Sequence, residues 1–286
     1  MPPRPQVQPR LTAFPLFFAL ALPLIRLFLS LTPLPQPQGF NLLLPKTISG
    51  ISSDDGNKPT ALLLTAHPDD EVMFFGPTVL NLVAAGWDLR GLCLSTGDSD
   101  GFGQVRKQEL VASYEILGVP SENVQIVDDP EIRDGMDTDW DPELVASFVE
   151  IYLATNPVDI IITFDSLGIT SHPNHISVSS SLSHIPIELR PRVLKIRSPS
   201  IISKFTGPLY VFYLHLQVLL SRPIIEGFFP NLFLNESKRF HVMVNDIPRY
   251  TTALRAMMAH SSQLVWFRWL YLGASRLMWV NELVEV

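Results

Sequence analysis

The chain has 286 residues, enough for one large α/β domain or two small ones with a well-buried core. Hydrophobic residues make up 47% of the chain and charged residues only 17%, which excludes an intrinsically disordered protein. The net charge of −7 excludes the strongly basic surface on which nucleic acids bind, so no nucleic acid is expected as a partner.

The first 35 residues differ in composition from the rest of the chain. Residues 11–32 are apolar except for Arg26, and they are long enough to cross a bilayer, which takes about 20 helical residues. The pattern favours a membrane anchor that is retained, at 1–35. A cleaved signal peptide fits less well, because "PLPQPQGF" follows instead of a small-residue cleavage site. Two prolines and Arg26 would weaken a spanning helix, so a peripheral segment is the third interpretation.

A polar connector rich in proline, glycine and aspartate follows at 36–58, and it is predicted to be a linker. From there, 59–286 is predicted to form one domain in which strands and helices alternate. The predicted strands are 61–66, 89–96, 123–128, 159–164 and 192–198, and the predicted helices are 71–86, 104–118 and 142–156.

Local signals mark the ends of these helices. Gly86 is expected to end the first, and Asp141 is expected to cap the third, with Pro142 in its first turn. Strands that alternate with helices of this length indicate a Rossmann-like α/β fold, with a mostly parallel sheet and helices on both faces. No Gly-x-Gly-x-x-Gly follows the first strand, so dinucleotide binding is not predicted. Cys93, the single cysteine, lies in an apolar strand-like run and is predicted to be a buried thiol.

Polar clusters follow three of the predicted strands. They are the run from His67 to Glu71, residues 95–103 with the helix start after them, and residues 164–175. Ligands of parallel sheets bind beyond the carboxyl ends of the strands, so we expect the three clusters to lie together. Each cluster also has a structural interpretation, since carboxylates cap helices and "SHPNH" favours a turn.

The histidines decide between these interpretations. A histidine, a carboxylate and a second histidine are the ligands of a catalytic zinc site, which leaves one position open. The four ionisable groups at 67–71 also need a counter-charge, and a metal ion would supply it. The sequence therefore predicts a zinc site, with another divalent metal as the alternative; Mg²⁺ is less suited to histidine ligands.

The motif "AHPDDE" at 66–71, together with "SHPNH" at 171–175, resembles the LmbE-type zinc-dependent de-N-acetylases. Residues 92–110 and 261–281 are similar to the eukaryotic branch of that family, and the similarity runs from about residue 60 to the end, except for the segment around 199–232. The resemblance implies hydrolysis of the acetamide of N-acetylglucosaminyl-phosphatidylinositol, the second step of GPI-anchor biosynthesis. It also implies a glycolipid substrate in the endoplasmic reticulum membrane, with the catalytic domain on the cytosolic side.

The same resemblance implies a role for each motif residue. His67, Asp70 and His175 would be the zinc ligands, and Asp69 would be the general base that takes a proton from the attacking water. His172 would stabilise the oxyanion and help to protonate the departing amine. Many bacterial relatives have an acid where this chain has Asn174. That substitution changes the group beside a ligand histidine.

Two further residues have weaker functional signals. Arg106 is predicted to bind the substrate phosphate, since a guanidinium suits phosphate oxygens, or to pair with Asp98 or Glu109. Asp165 is predicted to orient a ligand histidine or bind a sugar hydroxyl, with a purely structural hydrogen bond as the alternative.

Two apolar stretches admit either core packing or contact with a membrane: residues 208–220 and the aromatic-rich 264–279.

The alternatives to the implied function are a zinc de-N-acetylase of a soluble acetylated amino sugar and a non-catalytic membrane subunit on the same fold. Asn235, in "NES", would be a glycosylation acceptor only in a lumenal domain, so we expect it to be unmodified. Nothing in the sequence indicates an oligomeric state.

Overall fold

The computed structural model describes residues 58–221 and 240–286. The predicted anchor, nearly all of the predicted linker and Asn235 lie outside these ranges. Seven strands form one sheet: β1 (Thr60–Thr65), β2 (Asp88–Cys93), β3 (Val124–Ile126), β4 (Ile160–Phe164), β5 (Arg192–Ile196), β6 (Phe240–Val244) and β7 (Val280–Glu285). All five strands predicted from the sequence are therefore confirmed.

The strand order is β3-β2-β1-β4-β5-β7-β6. The five strands from β3 to β5 are parallel, and β7 pairs antiparallel with both β5 and β6. Along the chain, the strands are added outward from β1 to β3, and the next strand, β4, then pairs with the other side of β1. This reversal opens a crevice beyond the ends of β1 and β4, where parallel sheets bind ligands.

The centre of the sheet is apolar on both faces. Ala61, Leu62, Leu63 and Leu64 of β1 are completely buried, as expected for a strand covered by helices on each side. Ten α-helices lie in the described ranges: α1 (Asp70–Met73), α2 (Gly76–Ala84), α3 (Gly103–Leu117), α4 (Pro142–Thr155), α5 (Gly168–Ser171), α6 (Pro173–Ser181), α7 (Ile201–Lys204), α8 (Pro208–Ser221), α9 (Ile247–Ala259) and α10 (Trp266–Ala274). Helices α2, α3 and α9 pack together in one layer, and α4 packs on α6 in another.

The helix ends follow the local signals. The Asp141 carboxylate accepts the Glu143 N–H, with Pro142 in the first turn of α4. Gly86 follows α2 with φ 84°, a conformation that glycine adopts without strain. The buried Cys93 thiol is likewise confirmed, and burial raises its pKa.

The predicted first helix, 71–86, is wrong as a single element. It is broken at Phe74 and Phe75 into α1 and α2. Pro77 explains the break, because proline has no N–H for the preceding turn and is favoured in the first turn of a new helix. The break leaves α1 as a single helical turn that carries the acidic motif residues.

The C-terminal part holds elements that the sequence did not predict. Strands β6 and β7 add the antiparallel edge, and the aromatic stretch is α-helical over α10, with a 3-10 turn at Arg276–Met278. In α8, Leu209, Phe212 and Tyr213 are exposed while Val211 is buried, so the first part of this helix has both an inner and an outer face. Within the described ranges, none of the helices has the length and apolar character that crossing a bilayer requires.

Candidate active site

The two histidine motifs meet at the crevice between β1 and β4. The first lies on the turn from β1 into α1, and the second spans α5 and the start of α6, directly after β4. They line a pocket of about 430 Å³ together with residues from the α9–α10 segment, among them Gln263, Phe267 and Arg268.

Three ligand atoms converge at the bottom of this pocket. The His175 Nε2 atom lies 3.2 Å from Asp70 Oδ1 and 3.3 Å from His67 Nδ1. His67 Nδ1 is in turn 3.8 Å from the second Asp70 oxygen. The side chains are buried, and they form a group that could hold a metal ion.

The hydrogen bonds around each imidazole set which nitrogen carries the proton. The His175 Nδ1–H donates to the Gly168 carbonyl at 3.0 Å, which leaves Nε2 with a free lone pair. The His67 Nε2–H donates to the Asn174 amide oxygen at 3.0 Å, which leaves Nδ1 free. The amide orientation is fixed because Asn174 donates from its nitrogen to the Thr138 carbonyl.

Asp70 completes the set. Its Oδ2 accepts the N–H groups of Ala66 and His67, so Oδ1 is the oxygen turned toward His175. Burial alone would raise the pKa of Asp70, but the neighbouring His175 and His67 imidazoles outweigh burial and lower it. Three lone pairs this close repel one another unless a cation lies between them. The donor set of two histidines and one carboxylate therefore fits a zinc ion.

The fold fixes the ligand rings before any ion binds. The His175 ring stacks on Phe164, the last residue of β4, with 4.0 Å between centroids and 4° between planes. Gly168 has φ 58°, and a Cβ there would approach the His175 Cβ to 3.0 Å, so only glycine fits this position. The glycine brings its carbonyl to the imidazole and so determines the direction of the ligand nitrogen.

Asp69 lies beside these ligands in a strained conformation. Its φ of 112° is rare for a residue with a Cβ and costs on the order of 1–3 kcal/mol. The Oδ2 atom is 2.7 Å from the Arg268 Nη2 atom. Burial raises the pKa of the Asp69 carboxyl, against the opposing effect of the Arg268 guanidinium. A raised pKa brings a carboxylate closer to the range in which a general base works at neutral pH.

His172 is half-buried in the same pocket. Its Nδ1 accepts the Asn174 N–H at 3.3 Å, so the imidazole caps α6 and carries its own proton on Nε2. Burial lowers the pKa of His172 to about 4, with the His67 and His175 rings adding to the effect. The neutral imidazole therefore presents one N–H donor toward the pocket.

Asp134 is a site residue that the sequence analysis missed. Its Oδ1 is 3.1 Å from His67 Nε2 and 3.9 Å from His172 Nε2, and its Oδ2 accepts a hydrogen bond from Arg106. The residue lies in the long loop after β3, at the same edge of the sheet as the two histidine motifs. Its position after a strand was the available signal, because ligands of parallel sheets bind beyond the carboxyl ends of the strands, and β3 is one of these strands. Asp134 supplies a carboxylate to a ligand histidine, where this chain has an amide at position 174.

The two residues with weaker predictions differ in placement. Arg106 lines the pocket, but its guanidinium is engaged by protein groups: the carbonyls of Gly97 and Pro68, the Gln263 side chain and Asp134. Glu109 binds Ser261 and Ser262 instead. The role of Arg106 toward a substrate phosphate stays a prediction.

Asp165 is not among the described residues that line the pocket. Its two oxygens accept hydrogen bonds from the Ser198 backbone and hydroxyl at 2.7 and 2.6 Å, and Oδ1 also accepts the Leu167 N–H. These contacts hold the loop after β4 against the end of β5. They fit the structural alternative for this residue.

Comparison with known proteins agrees with this geometry. A family model described as PIG-L, GlcNAc-PI de-N-acetylase, matches residues 62–185. The N-acetylglucosaminyl-phosphatidylinositol de-N-acetylase of Bos taurus is 34% identical over 232 residues, covering 80% of this chain and 84% of that protein. A probable enzyme of the same name from Schizosaccharomyces pombe is 34% identical over 219 residues, covering 74% of this chain and 82% of that protein.

Solved structures share the fold. A deacetylase from the biosynthesis pathway of teicoplanin superposes with a TM-score of 0.52 at 13% identity, covering 79% of this chain and 98% of that one. The pseudoaglycone deacetylase of the antimicrobial reagent A40926 has the same TM-score and identity, covering 80% of this chain and 97% of that one. With two motifs in one pocket and relatives that span most of its length, the chain belongs to the GlcNAc-PI de-N-acetylase family.

Proposed function

We propose that this chain hydrolyses the acetamide of N-acetylglucosaminyl-phosphatidylinositol, giving acetate and glucosaminyl-phosphatidylinositol in the second step of GPI-anchor biosynthesis. Relatives that are 30–34% identical to this chain are named for this substrate, and the match covers most of the length of each relative. The observation that carries the proposal is the convergence of His67, Asp70 and His175 beside the buried carboxylate of Asp69.

The three converging residues would hold a zinc ion, bound through His67 Nδ1, His175 Nε2 and Asp70 Oδ1. When bound there, zinc would polarise the amide carbonyl and would lower the pKa of a water molecule toward about 7. The donor set supports zinc over Mg²⁺, because Mg²⁺ prefers oxygen ligands.

The remaining steps belong to residues of this chain. Asp69 takes a proton from the water whose oxygen attacks the acetamide carbon. The His172 Nε2–H donates to the oxygen that becomes negatively charged. As the carbon–nitrogen bond breaks, Asp69 passes its proton to the departing amine, which leaves a free amino sugar and acetic acid, and the acid then ionises to acetate.

The substrate is a lipid, so we propose that the site works at the surface of the endoplasmic reticulum membrane, with the catalytic domain cytosolic. Support comes from α10, where Trp266, Trp269 and Leu270 are exposed while Arg268 faces the pocket. Tryptophan side chains are enriched at the headgroup level of bilayers. The predicted anchor at 1–35 would hold the chain at the same surface.

The test is release of acetate from N-acetylglucosaminyl-phosphatidylinositol by membranes that contain the full chain, beside the Asp69→Asn variant. We expect activity in the wild type and a loss of at least about a hundredfold in the variant, with equal zinc content in both. Zinc without acetate release from this lipid would leave the metal site standing and reject the substrate. A chain purified without bound metal would reject the site itself.

A further inference from the structure

The Asp69 backbone is held by the residue two positions along the chain. The Asp69 N–H donates to Glu71 Oε2 at 3.0 Å, and the Glu71 side chain is completely buried. Glu71 is the second residue of α1, and its carboxylate accepts the N–H of Asp69, the residue that precedes the helix as its N-cap. Such carboxylates usually lie at the surface, so the burial of this one calls for a further partner.

That partner comes from the far end of the chain. His260, between α9 and α10, has its Nε2 2.7 Å from Glu71 Oε1, and both side chains are inaccessible to solvent. The Ser113 hydroxyl of α3 donates to the same oxygen at 2.5 Å. Each Glu71 oxygen is therefore bound from a defined direction, which fixes the carboxylate plane.

The His260 ring is oriented in its turn. Gln263 donates from Nε2 to His260 Nδ1 at 3.2 Å, and its Oε1 accepts a hydrogen bond from Arg106 at 2.7 Å. The Arg106 contact fixes the amide orientation, so His260 Nδ1 is an acceptor and Nε2 carries the proton that is donated to Glu71. The direction of each bond in the series from Gln263 to Asp69 is thereby assigned.

We propose that Glu71 and His260 are positioning residues that hold Asp69 in the strained conformation from which it acts as general base. Neither residue is among the described residues that line the pocket, so both act through Asp69. The inference rests on the proposed function, because it assigns Asp69 the role of base. Beyond the ligand and base assignments, it makes the buried contact between Glu71 and His260 a requirement for catalysis.

The test compares kcat, KM and zinc content for acetate release by the full chain in phospholipid vesicles. His260→Ala removes the donor to Glu71, and we expect kcat to fall about 10- to 100-fold, with KM and zinc per chain unchanged. His260→Gln can still donate an N–H to Glu71, so it is expected to recover most of the lost kcat. Glu71→Asp keeps the charge but shortens the side chain, so it should lower kcat in the same way. It is the variant that tests the inference if His260→Ala does not fold.

Thr78→Val is the matched control, since it removes a buried 2.7 Å hydrogen bond to Asn281 outside the pocket. It should lower Tm while kcat stays within about twofold of wild type. Wild-type kcat in a folded His260→Ala or Glu71→Asp protein would overturn the inference, as would a loss explained by KM or zinc alone. A wild type that releases no acetate rejects the proposed function instead, so the two failures are distinct.

Discussion

At the level of single residues, the site combines groups that a local motif can reveal with groups that it cannot. His67, Asp70 and His175 were predictable because each lies in a short polar run after a buried strand, and parallel strands bring such runs together. The strand-end rule covers the loop after β3 but does not single out Asp134 among its several carboxylates. Arg268 has no such signal, because it lies in an apolar helix whose packing direction the sequence does not give. The positions of these two depend on tertiary packing.

Asp134 is expected to matter through the ligand histidine that it contacts. Replacing it by asparagine removes the negative charge 3.1 Å from His67 Nε2. Partners of ligand histidines typically contribute 10- to 100-fold to metal affinity or activity, so we expect Asp134→Asn to weaken zinc binding or activity by about that factor. Competition with a zinc chelator, followed by residual activity, measures both effects.

The control for Asp134 is Asp128→Asn. This carboxylate lies in the same loop but pairs with Lys107 at 2.6 Å on the surface. Surface ion pairs contribute little, so zinc affinity should be unchanged. Equal losses in the two variants would mean that the loop as a whole, and not the contact with His67, is what matters.

At the level of elements, hydrogen bonds to α3 hold the segment between α9 and α10 in place. Glu109 of α3 accepts hydrogen bonds from the Ser261 hydroxyl and from the N–H and hydroxyl of Ser262, at 2.9, 2.7 and 2.6 Å. Burial acts to raise the pKa of Glu109, but these hydrogen bonds outweigh it and lower the pKa below its ordinary value of 4.5. The carboxylate is thus favoured in the folded state.

A pH dependence of stability follows from Glu109. Because its folded pKa is lowered, its contribution is complete above pH 4.5 and is lost as the pH falls through the lower folded value. We expect wild-type Tm to fall below pH 4.5 by about 2–4 °C more than that of Glu109→Gln. Thermal unfolding between pH 3 and 7 measures the difference.

The control for Glu109 is Glu115→Gln, an exposed glutamate on the same helix. Its acid-side Tm profile should follow that of the wild type. If Glu109→Gln also follows the wild type, the hydrogen bonds to Ser261 and Ser262 do not favour the ionised carboxylate.

The exposed face of α10 predicts a dependence on the lipid surface. Replacing Trp266 and Trp269 by serine removes two aromatic side chains that are 75% and 50% exposed. We expect kcat/KM on vesicle-borne substrate to fall at least about tenfold, with no change on a water-soluble analogue without acyl chains. Ile151→Ser, an exposed residue of α4, should change neither. Equal losses on both substrates would show that α10 supports the pocket and not membrane contact.

At the scale of the whole molecule, the parallel part of the sheet could be predicted and the antiparallel edge could not. Buried parallel strands such as β1 read as short continuous apolar runs, which the sequence shows directly. The edge strand β6 follows a stretch with no clear periodicity, and only residues 275–279 separate β7 from the aromatic helix α10. Their pairing depends on contacts between residues far apart in the chain, for which a local pattern gives no signal.

The proposed cytosolic orientation makes a separate prediction at Asn235, whose sequence "NES" is accepted by the lumenal glycosylation machinery. We expect the full chain in microsomes to migrate identically with and without glycosidase treatment. A mass shift that disappears in Asn235→Gln would place the catalytic domain in the lumen and contradict the orientation.

The burial of Cys93 has a practical consequence for every variant above. It is the single cysteine of the chain, and only 1% of its surface is accessible, at the end of β2, which is paired on both sides. An aromatic disulfide reagent should therefore react with it only when the sheet opens, and each chain should release one equivalent of chromophore. The labelling rate under native conditions then reports the opening of the domain independently of catalysis. A variant that loses kcat while Cys93 labels as slowly as in the wild type has lost positioning and not the fold, whereas a variant that merely loosens the fold should label faster.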